Sequence, residues 1–139
     1  MNTISGMQLP TKGSQPAGDV VDCPMTRLMG VIASKWAMPV LYNLLRSSGP
    51  LRFTVLRRSI GRVTQRELSL TLKRFEEIGV VHRRVYPEVP ARVEYRLTPL
   101  GRSLEEPILG LGLWAERHAA ALTAAGKRAA RSKASRPAR

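Results

Sequence analysis

Through residues 64–81, TQRELSLTLKRFEEIGVV, apolar positions recur at helical spacing. With Leu68 at the centre of one face and ~100° per residue, Leu72, Phe75 and Gly79 fall within ~40° of it, with Thr71 and Ile78 flanking the stripe. Arg66, Ser69, Leu70, Lys73 and Glu77 point the other way. Thr64 suits the N-cap, since its hydroxyl can accept a bond from a first-turn N–H, and Glu67 three residues on completes a capping box. Gly79 is expected to end the helix in a left-handed conformation that costs glycine nothing. The pattern predicts a helix with one face in a core and the other offered to solvent or a partner.

Upstream, Leu51 to Ile60 carries Phe53, Leu56 and Ile60 on one side, with Val55 and Ser59 alongside, and reads as a short amphipathic helix. Gly61-Arg62-Val63 is then a tight turn, and helix, turn and capped second helix have the spacing of a helix-turn-helix. Before these, Met25 to about Ala33 forms a helix opened by Cys23-Pro24, with Leu28, Val31 and Ile32 as its apolar side. Ser34 is expected to cap a second helix, Lys35 to about Ser47, bearing Trp36, Val40, Leu41, Leu44 and Leu45, with Pro39 near its first turn. Ser48-Gly49-Pro50 stops it.

After Gly79 the period changes to two. Val81, Arg83 and Val85 alternate with His82, Arg84 and Tyr86, and after a proline-rich turn Val93, Tyr95 and Leu97 alternate with Arg92, Glu94 and Arg96. This predicts a two-stranded hairpin, a wing placed directly after the capped helix. Thr98 as N-cap and Pro99 at the first helical position start another helix, which Pro107 is expected to break or kink. Beyond it Ile108, Leu111, Ala115, His118 and Leu122 form a stripe with Trp114 alongside. With no obvious intrachain cover, that stripe suggests a subunit interface. The expected fold is mainly α with a small β-hairpin wing, an α+β winged helix-turn-helix with N- and C-terminal dimerisation helices. Residues 1–22 read as a flexible segment, 23–122 as the folded domain and 123–139 as a disordered basic tail.

Charge sharpens this picture. The 139 residues hold 23 Lys and Arg against 10 Asp and Glu, a net charge of +13. The tail contributes Lys127, Arg128, Arg131, Lys133, Arg136 and Arg139, yet residues 24–122 still hold 16 basic against 8 acidic side chains. The excess belongs to the folded part as well, which points to an anionic partner, nucleic acid before a membrane surface. The N-terminus lacks a signal-peptide pattern, no apolar run is long enough to span a membrane, and a single cysteine fits a reducing cytoplasm. His82 and His118 are isolated from other ligand types, the Glu76-Glu77 and Glu105-Glu106 pairs diverge on their helices, and no nucleophile elbow, phosphate loop or dinucleotide fingerprint occurs. Neither an enzyme, a metal site nor a cofactor is expected.

The candidate DNA contacts are Thr64, Gln65, Arg66, Ser69 and Lys73 on the capped helix, Arg57 on the helix before it, and Arg83 and Arg92 on the wing. Gln pairs with adenine and Arg with guanine in the major groove, Ser serves either, and Lys meets phosphate. Leu70 faces outward and either touches a thymine methyl or is a plain exposed leucine. The wing arginines either reach phosphates and a minor groove or keep a strand edge soluble. Of these Arg92, beside the tip, is the favoured contact.

Three stretches together resemble the HxlR family of bacterial winged helix-turn-helix regulators, relatives of MarR-type proteins: CPMTRLMGVIASKW (23–36), RFTVLRRSIGRVTQRELSLTLKRFEEIGVV (52–81) and VYPEVPARVEYRLTPLG (85–101). The resemblance covers about Cys23 to His118. Ser34 stands where a glycine is usual, Gly110 and Gly112 loosen the C-terminal helix, and the basic tail lies outside the shared pattern. It implies a transcriptional regulator, more often a repressor, acting as a homodimer on a near-palindromic operator. Leu28, Ile108, Leu111, Trp114 and His118 would lie in the dimer interface. In some members an N-terminal cysteine senses oxidants; here Cys23 is either such a sensor or a small apolar residue at an interface. A cavity between the DNA-binding part and the dimer helices could admit a small-molecule effector. The rival readings are a non-specific basic nucleic-acid binder that uses its C-terminal tail, and a ligand-gated adaptor on a winged-helix scaffold.

Overall fold

A computed structural model of the chain describes residues 23–135. The elements run α1 (Pro24–Ile32), α2 (Ala37–Arg46), β1 (Leu51–Arg52), α3 (Phe53–Ile60), α4 (Gln65–Glu77), β2 (Val81–Tyr86), β3 (Arg92–Leu97), α5 (Pro99–Ser103), α6 (Glu105–Arg117) and α7 (Ala119–Ala134). The chain is mostly helical with a small antiparallel sheet, as the hydrophobic pattern predicts. The flexible segment expected over residues 1–22 lies outside the described residues.

Local sequence explains α4 at both ends. The Thr64 hydroxyl accepts the Glu67 N–H at 3.2 Å and the Glu67 carboxylate accepts the Thr64 N–H at 2.9 Å, closing the capping box. At the other end Gly79 adopts φ 77°, the Val80 N–H reaches the Phe75 carbonyl and the Gly79 N–H reaches that of Glu76. These two bonds are a Schellman motif, which only a residue at ease with positive φ terminates without strain. Between the ends, Leu68, Leu72 and Phe75 are wholly buried and Thr71 nearly so. They meet Val40, Leu41 and Leu44 of α2, Leu56 of α3 and Val81, Tyr95 and Leu97 of the sheet in one core. Truncating Leu68 to alanine removes buried methyls and leaves a cavity, at a cost of about 2–5 kcal/mol.

Three expectations about the first helices change. Ser34 does not cap α2. Its hydroxyl donates back to the Val31 carbonyl at 3.1 Å, and α2 begins later, with Trp36 at its N-cap. The axes of α1 and α2 turn by 89° there, and Pro39 falls in the first turn of α2, where a missing N–H is tolerated. Leu51 and Arg52 are not helical; they form a third strand beside β3, so the wing belongs to a sheet ordered β1-β3-β2. The register pairs Leu51 with Tyr95, Arg83 with Tyr95 and Val81 with Leu97 on the inner face. Phe53 then packs on Tyr95 with ring centroids 6.3 Å apart.

The hairpin returns to its starting point. The Thr98 N–H donates to the Val80 carbonyl, and Thr98 caps α5 by accepting the Gly101 N–H. Gly101 is buried against Val80, whose carbonyl oxygen a Cβ at that position would strike. The break after α5 falls at Leu104, before Pro107, which instead occupies the first turn of α6. The stripe from Ile108 to Leu122 is also divided, because His118 departs from helical dihedrals between α6 and α7. Residues 123–134, expected to be disordered, continue as helix. Alanine, arginine and lysine are strong helix formers, and that propensity extends α7 although none of its residues is buried.

Candidate nucleic-acid interface

The second helix of the helix-turn-helix presents its polar side to solvent. Gln65, Arg66, Ser69 and Lys73 are all exposed, as is Leu70. Gln65 and Ser69, one turn apart, face an open groove of about 570 Å³ between α4 and the wing. Thr54 and Arg52 from the start of α3 and Arg83 from β2 line the same groove, and residues 88–93 of the wing tip close its far side. Arg66 and Lys73 lie outside this lining, further round α4. Lys73 is tethered loosely to Glu77 at 4.0 Å, an exposed pair of little energetic weight.

Several expected contacts carry structural duties. The Thr64 oxygen is used by the cap, which leaves only its O–H to donate outward. Arg57 Nε donates to the Val63 carbonyl at 3.4 Å, bracing the turn before α4. Arg92, the favoured wing contact, is not a bare cation. It pairs with Glu88 at 3.2 Å and Glu94 at 3.7 Å, and its guanidinium lies 3.9 Å from the centre of the Tyr86 ring. It braces the wing tip, and it lines the groove together with Arg83. Arg52 and Thr54 were missed, because a two-residue strand followed at once by a helix has no periodic signature to orient them.

Two titratable groups are shifted. Hydrogen bonding from the Thr64 backbone N–H, then from the Trp36 indole and the Thr64 hydroxyl, holds the Glu67 carboxyl below its ordinary range, and Lys35 adds to this. The buried Trp36 indole N–H faces this carboxylate without a hydrogen bond of regular geometry. The Cys23 thiol is lowered by the backbone N–H groups of Thr26 and Met25 and by the Thr26 side chain, because it sits at the N-cap of α1.

Among the expected interface residues, Leu28 is half-buried and Ile108 is half-buried against the core, so Ile108 already has intrachain cover. Leu111 and Trp114 are exposed, with Leu109 and Leu113 exposed on another side of α6. His118 stacks on Trp114 at 4.7 Å between centroids, its Nδ1 2.8 Å from the Trp114 carbonyl. Among the described residues no cluster of three metal-ligating side chains occurs, and no single helix is long and apolar enough to cross a membrane.

A capped helix with a free polar side, preceded by a braced helix and turn and followed by a sheet whose hairpin forms the far wall of one groove, defines a winged helix-turn-helix DNA-binding protein. Residues 31–123 match the family described as HxlR-like helix-turn-helix, and the chain belongs to that family of transcriptional regulators. The HTH-type transcriptional regulator YdeP of Bacillus subtilis is 41% identical over 100 residues, covering 72% of this chain and 77% of that protein. An HTH-type transcriptional regulator of Methanothermobacter thermautotrophicus is 36% identical over 117 residues, covering 84% of this chain and 88% of that protein. Among solved structures, the redox regulator HypR in its oxidized form is 41% identical with a TM-score of 0.58, covering 68% of this chain and 96% of that one.

Proposed function

We propose that this protein is a homodimeric repressor that binds a near-palindromic operator, with Gln65, Arg66 and Ser69 reading base edges and Lys73, Arg57 and Arg83 meeting phosphates. The observation that carries this reading is the exposed polar side of α4, from which Gln65 and Ser69 open directly onto the wing groove. A helix fits the major groove of B-DNA while the wing lies along the adjacent backbone. Two-fold symmetry doubles the short contact set of one helix and places half-sites about 34–36 Å apart, or a multiple of it. The exposed Leu111 and Trp114 on α6 and the half-buried Leu28 on α1 are the surfaces such a dimer would cover.

The test is genomic footprinting followed by binding to the recovered sites. A near-palindrome protected by a dimer, with transcription rising when the gene is deleted, supports the reading. Protection without sequence preference refutes it and favours a non-specific binder using α7, whose basic residues are exposed.

Cys23 gives the regulator a thiol able to respond to oxidants. Its position at the start of α1 favours the thiolate, and the solved HypR is by its title a redox regulator. A reversible response with one cysteine per chain takes either an intersubunit disulfide or a small-thiol adduct. An effector would suit the mainly apolar hollow of about 690 Å³ formed by Pro24, Leu28, Ile78, Val80, Leu100 and Leu104, with Arg27 and Glu77 also lining it, between α1, the end of α4 and α5. The site of action of such a regulator is the cytoplasm.

A further inference from the structure

The outer face of the sheet carries a cluster of cations, of which Arg84 and Arg96 serve neither the core nor the DNA groove. Register places Arg52, Glu94 and Arg84 in one row across β1, β3 and β2. The adjoining row pairs His82 with Arg96, and the row nearer the tip pairs Tyr86 with Arg92. Successive side chains alternate, so these residues share the face opposite Arg83, Val93 and Tyr95, although Arg52 and Arg92 also border the DNA groove that those three line.

A single carboxylate, Glu94, stands in the middle of this face, in the row between Arg52 and Arg84. Glu94 is engaged by Arg92, and the ion pairs among the described residues leave Arg52, Arg84 and Arg96 with no carboxylate within 4.0 Å. Arg84 is held in place from one side, its guanidinium 4.7 Å from the centre of the Tyr86 ring. A hollow of about 420 Å³ lies among His82, Arg84, Tyr86, Glu94 and Arg96, with Pro50, Arg83 and Val85 at its edges. None of these side chains adds to the core.

We infer that this face is a second anion site, which takes a free phosphorylated small molecule by its phosphate oxygens. Guanidinium groups match phosphate oxygens in bidentate geometry, and an arginine already ordered on an aromatic ring loses less freedom on binding. The hollow admits a ligand of roughly nucleotide size. Arg84 and Arg96 lie on the strand face opposite the groove that α4 opens onto, which is why the free ligand is favoured over the duplex. That choice rests on the proposed seating of DNA on α4, whereas anion binding is tested without DNA and can fail on its own.

Inorganic pyrophosphate is the probe, titrated by calorimetry into the full-length protein at constant ionic strength with chloride as the control anion. The expected result is saturable binding at one site per protomer. Affinity should fall roughly tenfold or more in Arg84→Ala/Arg96→Ala, as expected for loss of charge-assisted bonds, and be unchanged in Arg66→Ala. Both substitutions are on exposed positions, and the melting temperature of the double variant checks its folding. No saturable binding, or binding that survives in the double variant, overturns the proposal. So does a second outcome: if the double variant flattens the salt dependence of duplex binding by about two per protomer, the face belongs to DNA and the free-ligand assignment is wrong.

Discussion

Thr98 Oγ1 donates to the carbonyl of Gly79 at 2.6 Å, nineteen residues back along the chain. The same hydroxyl accepts the Gly101 N–H at 3.0 Å. One side chain therefore joins the end of the recognition helix α4 to the start of α5 and fixes both roots of the wing. The angle between α4 and the hairpin, and with it the groove that Gln65 and Arg83 share, rests on that joint. Thr98→Val keeps the shape and removes both bonds. It should lower unfolding free energy by about 1–2 kcal/mol in urea, and weaken operator binding further than stability alone explains.

The capping box makes α4 sensitive to acid. Glu67 titrates in the ordinary carboxylate range when unfolded and below it when folded. Its stabilisation is therefore complete above the unfolded value and is lost as pH falls through the folded one. Glu67→Gln should flatten the acid limb of a plot of urea midpoint against pH, while leaving its slope near neutrality unchanged. Thr64→Ala should cost about 1 kcal/mol at neutral pH. An acid limb identical to the parent's in Glu67→Gln would remove the carboxylate from this role.

Arg66 and Lys73 lie on one side of α4 but are expected to fail differently. Arg66→Ala should cost about 1–3 kcal/mol on operator and relax its sequence preference, whereas Lys73→Ala should weaken all duplexes alike and lower the salt slope by about one. Competition of operator against random duplex, repeated across salt concentrations, separates the two. Equal losses on both duplexes for Arg66→Ala would exclude base reading.

Cys23 should react with iodoacetamide faster than in the denatured chain when the two are compared at mildly acidic pH, because folding lowers its thiol. The pH midpoint of the alkylation rate reports this directly. If oxidant releases operator from the parent but not from Cys23→Ser, the thiol is the sensor; equal release from both assigns sensing elsewhere.

Removing residues 124–139 takes away exposed Lys127, Arg128, Arg131 and Lys133 together with the last four residues. Sequence preference should persist while affinity for every duplex falls by a common factor, with a smaller salt slope. Loss of nearly all binding would instead make α7 the principal contact.

What a residue's neighbours along the chain decide was legible in advance. The Thr64–Glu67 box, the buried run Leu68, Leu72 and Phe75, the glycine stop at Gly79 and the alternation of the wing strands all depend on spacings of two to four residues. Charge and patterning then sufficed for the winged helix-turn-helix and for the outward row Gln65, Arg66, Ser69 and Lys73.

Tertiary structure decided what depends on residues distant in sequence. Leu51 and Arg52 are a strand only because β3 lies beside them, more than forty residues later. Ser34 turns back to Val31 where the chain swings through 89°, and Arg92, still beside the groove, is partnered by Glu88, Glu94 and Tyr86 converging at the tip. The basic face of Arg52, Arg84 and Arg96 likewise appears only once three strands are in register. Periodicity sets which side of an element is polar, since that is a property of one helix or strand. Which polar side chains find partners depends on through-space distances, and those exist only after the chain has closed on itself.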